Sequence, residues 1–208
     1  MNIDEIMDAA SVIPVLEVPS IDKAAPLAEA LAAGGLRVIE LTLRTDCALA
    51  AISVMQNAAP ELIVGMGTIR TRDDVCQSID AGAAFLVSPG ASSALLEAIA
   101  RSGVPSLPGV ATASEAISAY EAGFKAQKFF PAEPAGGIAY LKSLAGPLPD
   151  IIFCPTGGIS AERAEEYLAS PNVACVGGSW IATKQMIGNE EWREIESNAR
   201  RASTLLQA

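Results

Sequence analysis

Half of this 208-residue chain is apolar and 18% is charged, which supplies one large buried core and excludes a disordered chain. Asp and Glu outnumber Lys and Arg 24 to 14, and a net charge of −10 argues against nucleic acid or an anionic membrane as a partner. Histidine is absent, which removes Ser-His-Asp and Cys-His catalysis and every His-ligated metal site.

From the N-terminus, a helix is expected over residues 3–10, inside MNIDEIMDAA. This stretch lacks the basic segment of a signal peptide. No apolar run approaches the roughly 20 residues that cross a bilayer, so the expected location is the cytoplasm. Eight β-rich runs follow, beginning at Val12, Arg37, Leu62, Phe85, Pro105, Lys125, Ile151 and Val173, 20 to 26 residues apart. Ala-rich stretches with helix punctuation separate them. Ser20 to Asp22 leads into KAAPLAEALAA, which Gly34-Gly35 ends. Thr71 starts a helix ended by Gly82, Ser92 one ended by Gly103, and Ser114 one ended by Gly123, while Ser160 opens AERAEEYLA. A closing helix is expected over residues 190–206. This alternation predicts βα units on a parallel sheet. Eight units suffice for a (β/α)8 TIM barrel, expected as one domain over residues 1–208 with an extra N-terminal helix. An open doubly wound sheet is the alternative.

In such a barrel the reactive side chains stand at the C-terminal ends of the strands and in the loops beyond them. In RVIELTLR the two-residue period puts Val38, Glu40, Thr42 and Arg44 on one face and Ile39, Leu41 and Leu43 on the other. The apolar set should meet the helices, which turns Glu40, Thr42 and Arg44 toward the barrel mouth. Burying such charges is costly unless they are paired or used, so the alternative is a structural Glu–Arg ion pair. In KAQKFF, Lys125 sits at the start and should reach solvent. Lys128 lies inside the strand beside Phe129 and Phe130. Apolar surroundings disfavour the ammonium form, and a neutral amine attacks a ketone to give a Schiff base. A strand-end lysine reaching out to water is the alternative.

Two glycine turns complete the rim. Thr156-Gly157-Gly158 follows the seventh run and Gly177-Gly178-Ser179 the eighth. Bare amides at these two places suit a phosphate and need no formal positive charge; simple tight-turn geometry is the alternative. Gly65-Met66-Gly67-Thr68 brings a hydroxyl beside Glu40, and Ser88-Pro89-Gly90 makes another turn at the same rim. Cys47, Cys76, Cys154 and Cys175 form no C-x-x-C pair and lie in apolar surroundings, which reads as buried thiols rather than disulfides or a metal site.

Two long motifs, GLRVIELTLR (residues 35–44) and GFKAQKFFPAEPAG (residues 123–136), carry a resemblance to a known family, supported in order by VGMGT, VSPG, CPTGGIS and VGGSW. The chain resembles the 2-keto-3-deoxy-6-phosphogluconate aldolases, class I aldolases that also act on 4-hydroxy-2-oxoglutarate. The resemblance implies that Lys128 is the Schiff-base lysine and Glu40 the general acid/base. Arg44 and Thr68 would hold the pyruvate-derived carboxylate and nearby oxygens, with Pro89, Phe130 and Thr156 also binding substrate. Gly157, Gly158, Gly178 and Ser179 would bind the phosphate. The resemblance further implies a homotrimer in the Entner–Doudoroff route, working on a phosphorylated 2-oxo acid with no metal or other cofactor. The implied reaction splits 2-dehydro-3-deoxy-6-phosphogluconate into pyruvate and glyceraldehyde 3-phosphate. Cleavage of 4-hydroxy-2-oxoglutarate into pyruvate and glyoxylate is implied as well. The C4-epimeric 2-dehydro-3-deoxy-6-phosphogalactonate, a phosphosugar isomerase or epimerase without an imine, and a non-catalytic binding module are the alternatives. One position departs from the family pattern. Glu17, in PVLEV, stands where relatives carry an apolar residue or an arginine, and it is expected either to face the mouth or to pair with a cation at the rim.

Overall fold

The computed structural model describes residues 1–205. Helix α1 (Ile3–Asp8) is opened by a reciprocal cap, in which the Asn2 side chain accepts from the Glu5 amide at 2.9 Å and the Glu5 carboxylate accepts from the Asn2 amide at 2.7 Å. The chain then alternates strand and helix: β1 (Val12–Leu16), α2 (Ala24–Ala33), β2 (Val38–Thr42), α3 (Ala48–Ala58), β3 (Ile63–Gly67) and α4 (Arg72–Asp80). There follow β4 (Leu86–Val87), α5 (Ser93–Ser102), β5 (Ser106–Leu107), β6 (Gly109–Val110), α6 (Ala113–Glu121), β7 (Ala126–Phe129) and α7 (Gly137–Leu144). The last elements are β8 (Ile152–Pro155), α8 (Ala161–Leu168), β9 (Val176–Gly178), α9 (Lys184–Gly188) and α10 (Trp192–Ser203). Among the described residues no helix is long and apolar enough to cross a membrane.

Every strand pairing is parallel, as the βα alternation requires. The strands form a curled six-stranded sheet, ordered β5-β4-β3-β2-β1-β9, and a three-stranded sheet, ordered β6-β7-β8. This corrects the expected set of eight strands. The run expected at Pro105 becomes two short strands flanking Pro108, which has no N–H to give to a ladder. Isolated parallel bridges, Phe153 to Val173 and Thr156 to Gly177, bring β8 alongside the segment that enters β9.

Two apolar layers follow from the strand period. Ile39 and Leu41 of β2 and Val64 and Met66 of β3 pack in one cluster with helix residues such as Leu27, Leu31, Ile52 and Met55. The other faces, Ile13, Val38, Phe85, Val87, Leu107, Ala126 and Cys154, form a second cluster with Ile6 and Met7 of α1. Helix α1 therefore covers the interior at the start of the strands. Farther along the same inner faces, buried residues turn polar at Glu40, Thr42 and Lys128.

Several boundaries differ from the sequence expectation for local reasons. Helices α3 and α7 fit the expected βα alternation but carry no start signal of their own: the residues that precede them, Cys47 and Gly136, offer no side-chain cap. Helix α6 is capped by Thr112 with Glu115 returning the bond, which places Ser114 inside the helix. Helix α1 stops at Asp8, two residues short of the expected end. The closing helix α10 starts at Trp192, two residues after its expected start, because Glu190 holds φ at +60° outside the helical region, and it ends at Ser203; the short α9 before it was not expected, and residue 206 lies outside the described residues.

Candidate active site

Strands β2 and β7 belong to different sheets, and their inner faces meet across the interior. Lys128 Nζ donates to Glu40 Oε1 at 3.1 Å and Oε2 at 3.4 Å, between residues 88 positions apart in the chain. The two side chains are only 6% and 5% exposed. This overturns both alternatives weighed from the sequence: Glu40 pairs with Lys128, not Arg44, and Lys128 does not reach out to water. Lys125, just before β7, is exposed as expected. The Phe130 ring centroid lies 5.3 Å from Lys128 Nζ, and this half-buried ring shields one side of the amine.

The neighbouring strand makes room for the carboxylate. A Cβ on Gly67 would fall 2.0 Å from Glu40 Oε1, so any side chain there moves Glu40 or the strand. Gly67→Ala is therefore expected to keep the fold but shift the carboxylate by about an ångström. Catalytic rate should fall about 100-fold, measured as kcat on the preferred substrate against unfolding midpoint. Thr68, the next residue, holds φ at +65°, a conformation that strains a β-branched side chain by about 1–3 kcal/mol. The hydroxyl at this rim position is thus fixed by backbone that the local sequence disfavours. Thr42 is buried, and its hydroxyl donates to the Leu16 carbonyl at 2.8 Å.

Arg44 departs from its expected place. Strand β2 ends at Thr42, and the Arg44 amide turns back onto the Thr42 carbonyl at 2.8 Å. Its side chain is exposed and has no partner among the described residues. It lines a cleft of about 230 Å³ with Leu16, Glu17, Thr42, Ser179 and Lys184.

The glycine turns meet at the far side of the rim. Gly157 and Gly158 hold φ at +104° and +81°, values open to glycine and strained for other residues. The turn leads to Ser160 at the N-terminus of α8. Gly177 and Gly178 belong to β9 and not to a turn after it, because they pair with Ile13 and Pro14 of β1. The bridge from Thr156 to Gly177 nevertheless brings the two glycine segments side by side, with Thr156 buried between them. The amides of Gly158 and of the exposed Ser179 donate to no protein group among the described residues. Pro89 is half-buried after β4, and the adjacent Ser88 hydroxyl accepts from the Gly109 amide at 3.0 Å. Of the cysteines, Cys154 and Cys175 are buried and free, but Cys76 is exposed and Cys47 half-buried, because both lie on or beside helix surfaces. A hydrogen bond with the neighbouring Cys154, and then burial, hold the Cys175 thiol well above its ordinary pKa.

One support of this rim escaped the sequence reading. The Glu133 amide donates to the Gly157 carbonyl at 3.0 Å, and its carboxylate accepts from Arg163 and from the Tyr167 hydroxyl, both on α8. Burial first, then this bond, pushes the Tyr167 phenol above its usual range. The partners lie 30 and 34 residues away, so no local motif announces them. Glu133→Ala leaves the Tyr167 hydroxyl without its acceptor and should destabilise the chain by about 1–3 kcal/mol in urea unfolding. Tyr167→Phe in that background should recover part of the loss.

The family model for KDPG and KHG aldolases matches residues 3–198. The 2-dehydro-3-deoxy-phosphogluconate aldolase of Pseudomonas aeruginosa is 44% identical over 201 residues, covering 97% of this chain and 91% of that protein. The KDPG aldolase of Legionella pneumophila, solved with pyruvate captured as a covalent carbinolamine, superposes with a TM-score of 0.95 at 43% identity, over 98% of this chain and 99% of that one. The 2-keto-3-deoxy-6-phosphogluconate aldolase of Zymomonas mobilis ZM4, solved with 3-phosphoglycerate, gives a TM-score of 0.92 at 42% identity, over 99% and 97%. With the family model matching residues 3–198 and these relatives 42–44% identical over nearly the full length, the chain belongs to the KDPG and KHG aldolase family.

Proposed function

We propose that the chain is a class I aldolase that splits 2-dehydro-3-deoxy-6-phosphogluconate into pyruvate and glyceraldehyde 3-phosphate, and 4-hydroxy-2-oxoglutarate into pyruvate and glyoxylate. The observation that carries this reading is the buried Lys128–Glu40 pair, 3.1 Å apart at the inner rim. An amine that must attack a carbonyl has to lose a proton first, and the carboxylate beside it is placed to take it.

Lys128 Nζ adds to the C2 ketone, and Glu40 returns its proton to the resulting hydroxyl, which leaves as water. The iminium that remains is the electron sink, so the reaction requires no metal. Glu40, directly or through a water, then takes the proton of the C4 hydroxyl. The C3–C4 bond breaks, the aldehyde departs and an enamine stays on Lys128. Glu40 protonates C3, and water releases pyruvate. Arg44 presents a planar two-pronged donor to the C1 carboxylate. Thr68, Pro89, Phe130 and Thr156 line the pyruvate end. Gly157, Gly158, Gly178 and Ser179 hold the phosphate through amides and a hydroxyl. The pyruvate carbinolamine of the Legionella relative supports the imine, and the 3-phosphoglycerate of the Zymomonas relative supports a phosphorylated substrate.

The same reading makes residues 1–208 one (β/α)8 barrel domain, with β5 and β6 as a single interrupted strand and the bridges between β8 and β9 as its seam. It acts as a cytoplasmic homotrimer whose partner is the small-molecule substrate and neither nucleic acid nor membrane. The test is pyruvate release from 2-dehydro-3-deoxy-6-phosphogluconate, its C4 epimer and 4-hydroxy-2-oxoglutarate. The highest kcat/KM is expected on the first; pyruvate from none of the three would overturn the reading.

A further inference from the structure

Glu17 lies one residue beyond the end of β1, and its carboxylate is bound by the ammonium of Lys184, 167 residues later at the start of α9. Both line the cleft of about 230 Å³ that also holds Arg44, Thr42, Thr183 and Ser179. The cleft adjoins the reacting centre at Thr42, two residues along β2 from Glu40, and the glycine rim at Ser179, next to Gly178. Its ionic content is two cations and one carboxylate. The Lys184 side chain is 62% exposed, and so exposed an ion pair contributes little to stability. An acidic side chain at the mouth of a site for anions weakens ligand binding unless its charge is occupied. Lys184 occupies it, and neither side chain has another partner among the described residues.

Building on the aldolase reading, we infer that Lys184 is a specificity-determining ligand for the phosphate end of the substrate, with Glu17 as the counter-ion that holds it while the cleft is empty. A phosphate carries about −1.5 to −2 charge and three acceptor oxygens, so it outcompetes one carboxylate for the ammonium. Once Lys184 has turned to the phosphate, Glu17 faces solvent. The short 4-hydroxy-2-oxoglutarate ends two carbons beyond the cleaved bond, carries no phosphate, and does not reach Lys184. For that substrate Glu17 stays paired and the lysine contributes nothing. The pair thus rewards a long, doubly charged tail and ignores a short one.

The test compares wild type, Lys184→Ala, Glu17→Gln and the double variant on both substrates, with calorimetric titration of inorganic phosphate as a readout independent of turnover. Lys184→Ala should raise KM for the phosphorylated substrate and Kd for phosphate about tenfold, with kcat/KM on 4-hydroxy-2-oxoglutarate unchanged. Glu17→Gln should tighten phosphate about threefold, an effect that vanishes in the double variant. Equal losses on both substrates, or unchanged phosphate binding in Lys184→Ala, would overturn the inference. Absence of turnover in the wild type alongside a Lys184-dependent phosphate Kd would instead sink the aldolase reading and leave the anion site standing.

Discussion

Lys128→Met should abolish aldol cleavage, lowering kcat/KM by about 10⁴-fold or more, because the covalent route through an imine is lost and no other amine is placed to replace it. Methionine keeps most of the side-chain length, so the variant tests the amine more than the packing. Stability should nevertheless fall. Glu40 would remain 4% exposed with its ionic partner removed, and stripping one member from a pair this deeply buried costs about 3–5 kcal/mol. The double variant Lys128→Met/Glu40→Gln should recover most of that loss while staying inactive. Unfolding in urea at constant slope, set against pyruvate release, separates the two effects. A Lys128→Met protein with substantial turnover would assign the nucleophile elsewhere.

Glu40→Gln should lower kcat by about 10²–10⁴-fold, the usual contribution of a positioned acid/base, because an amide neither takes nor returns a proton. The amide oxygen still accepts a hydrogen bond from Lys128 Nζ, so the lysine keeps its position. The partial reaction isolates the step. In deuterated water the wild type should exchange the methyl protons of pyruvate as iminium and enamine interconvert, and proton NMR should show that exchange slowed by a similar factor in the variant. Exchange at the wild-type rate would mean that another group handles the proton at C3.

The burial of Glu40 and Lys128 is legible because strand period is a strong constraint. A charged residue two positions from Val38 on β2, and a lysine two positions from Ala126 on β7, must share the interior with apolar neighbours. Glycine was legible for the complementary reason, since Gly157 and Gly158 need positive φ. What could not be read depends on residues remote in the chain or on signals that were missing. Arg44 was placed on a strand that stops two residues earlier, and strand ends are set by neighbouring strands as much as by local sequence. Helices α3 and α7 lack the side-chain caps that announce a start. The interruption at Pro108 was hidden inside one β-rich run. Glu133 with Tyr167, and Glu17 with Lys184, are long-range pairings that only the folded chain reveals.

The most direct measurement of the central claim is reductive trapping. The protein is incubated with pyruvate and borohydride, weighed, digested and mapped by mass spectrometry. The account predicts one reduced pyruvyl group per chain, on Lys128, and none on the Lys128→Met variant. No adduct, or an adduct on Lys125 or Lys184 that persists when Lys128 is replaced, would contradict it.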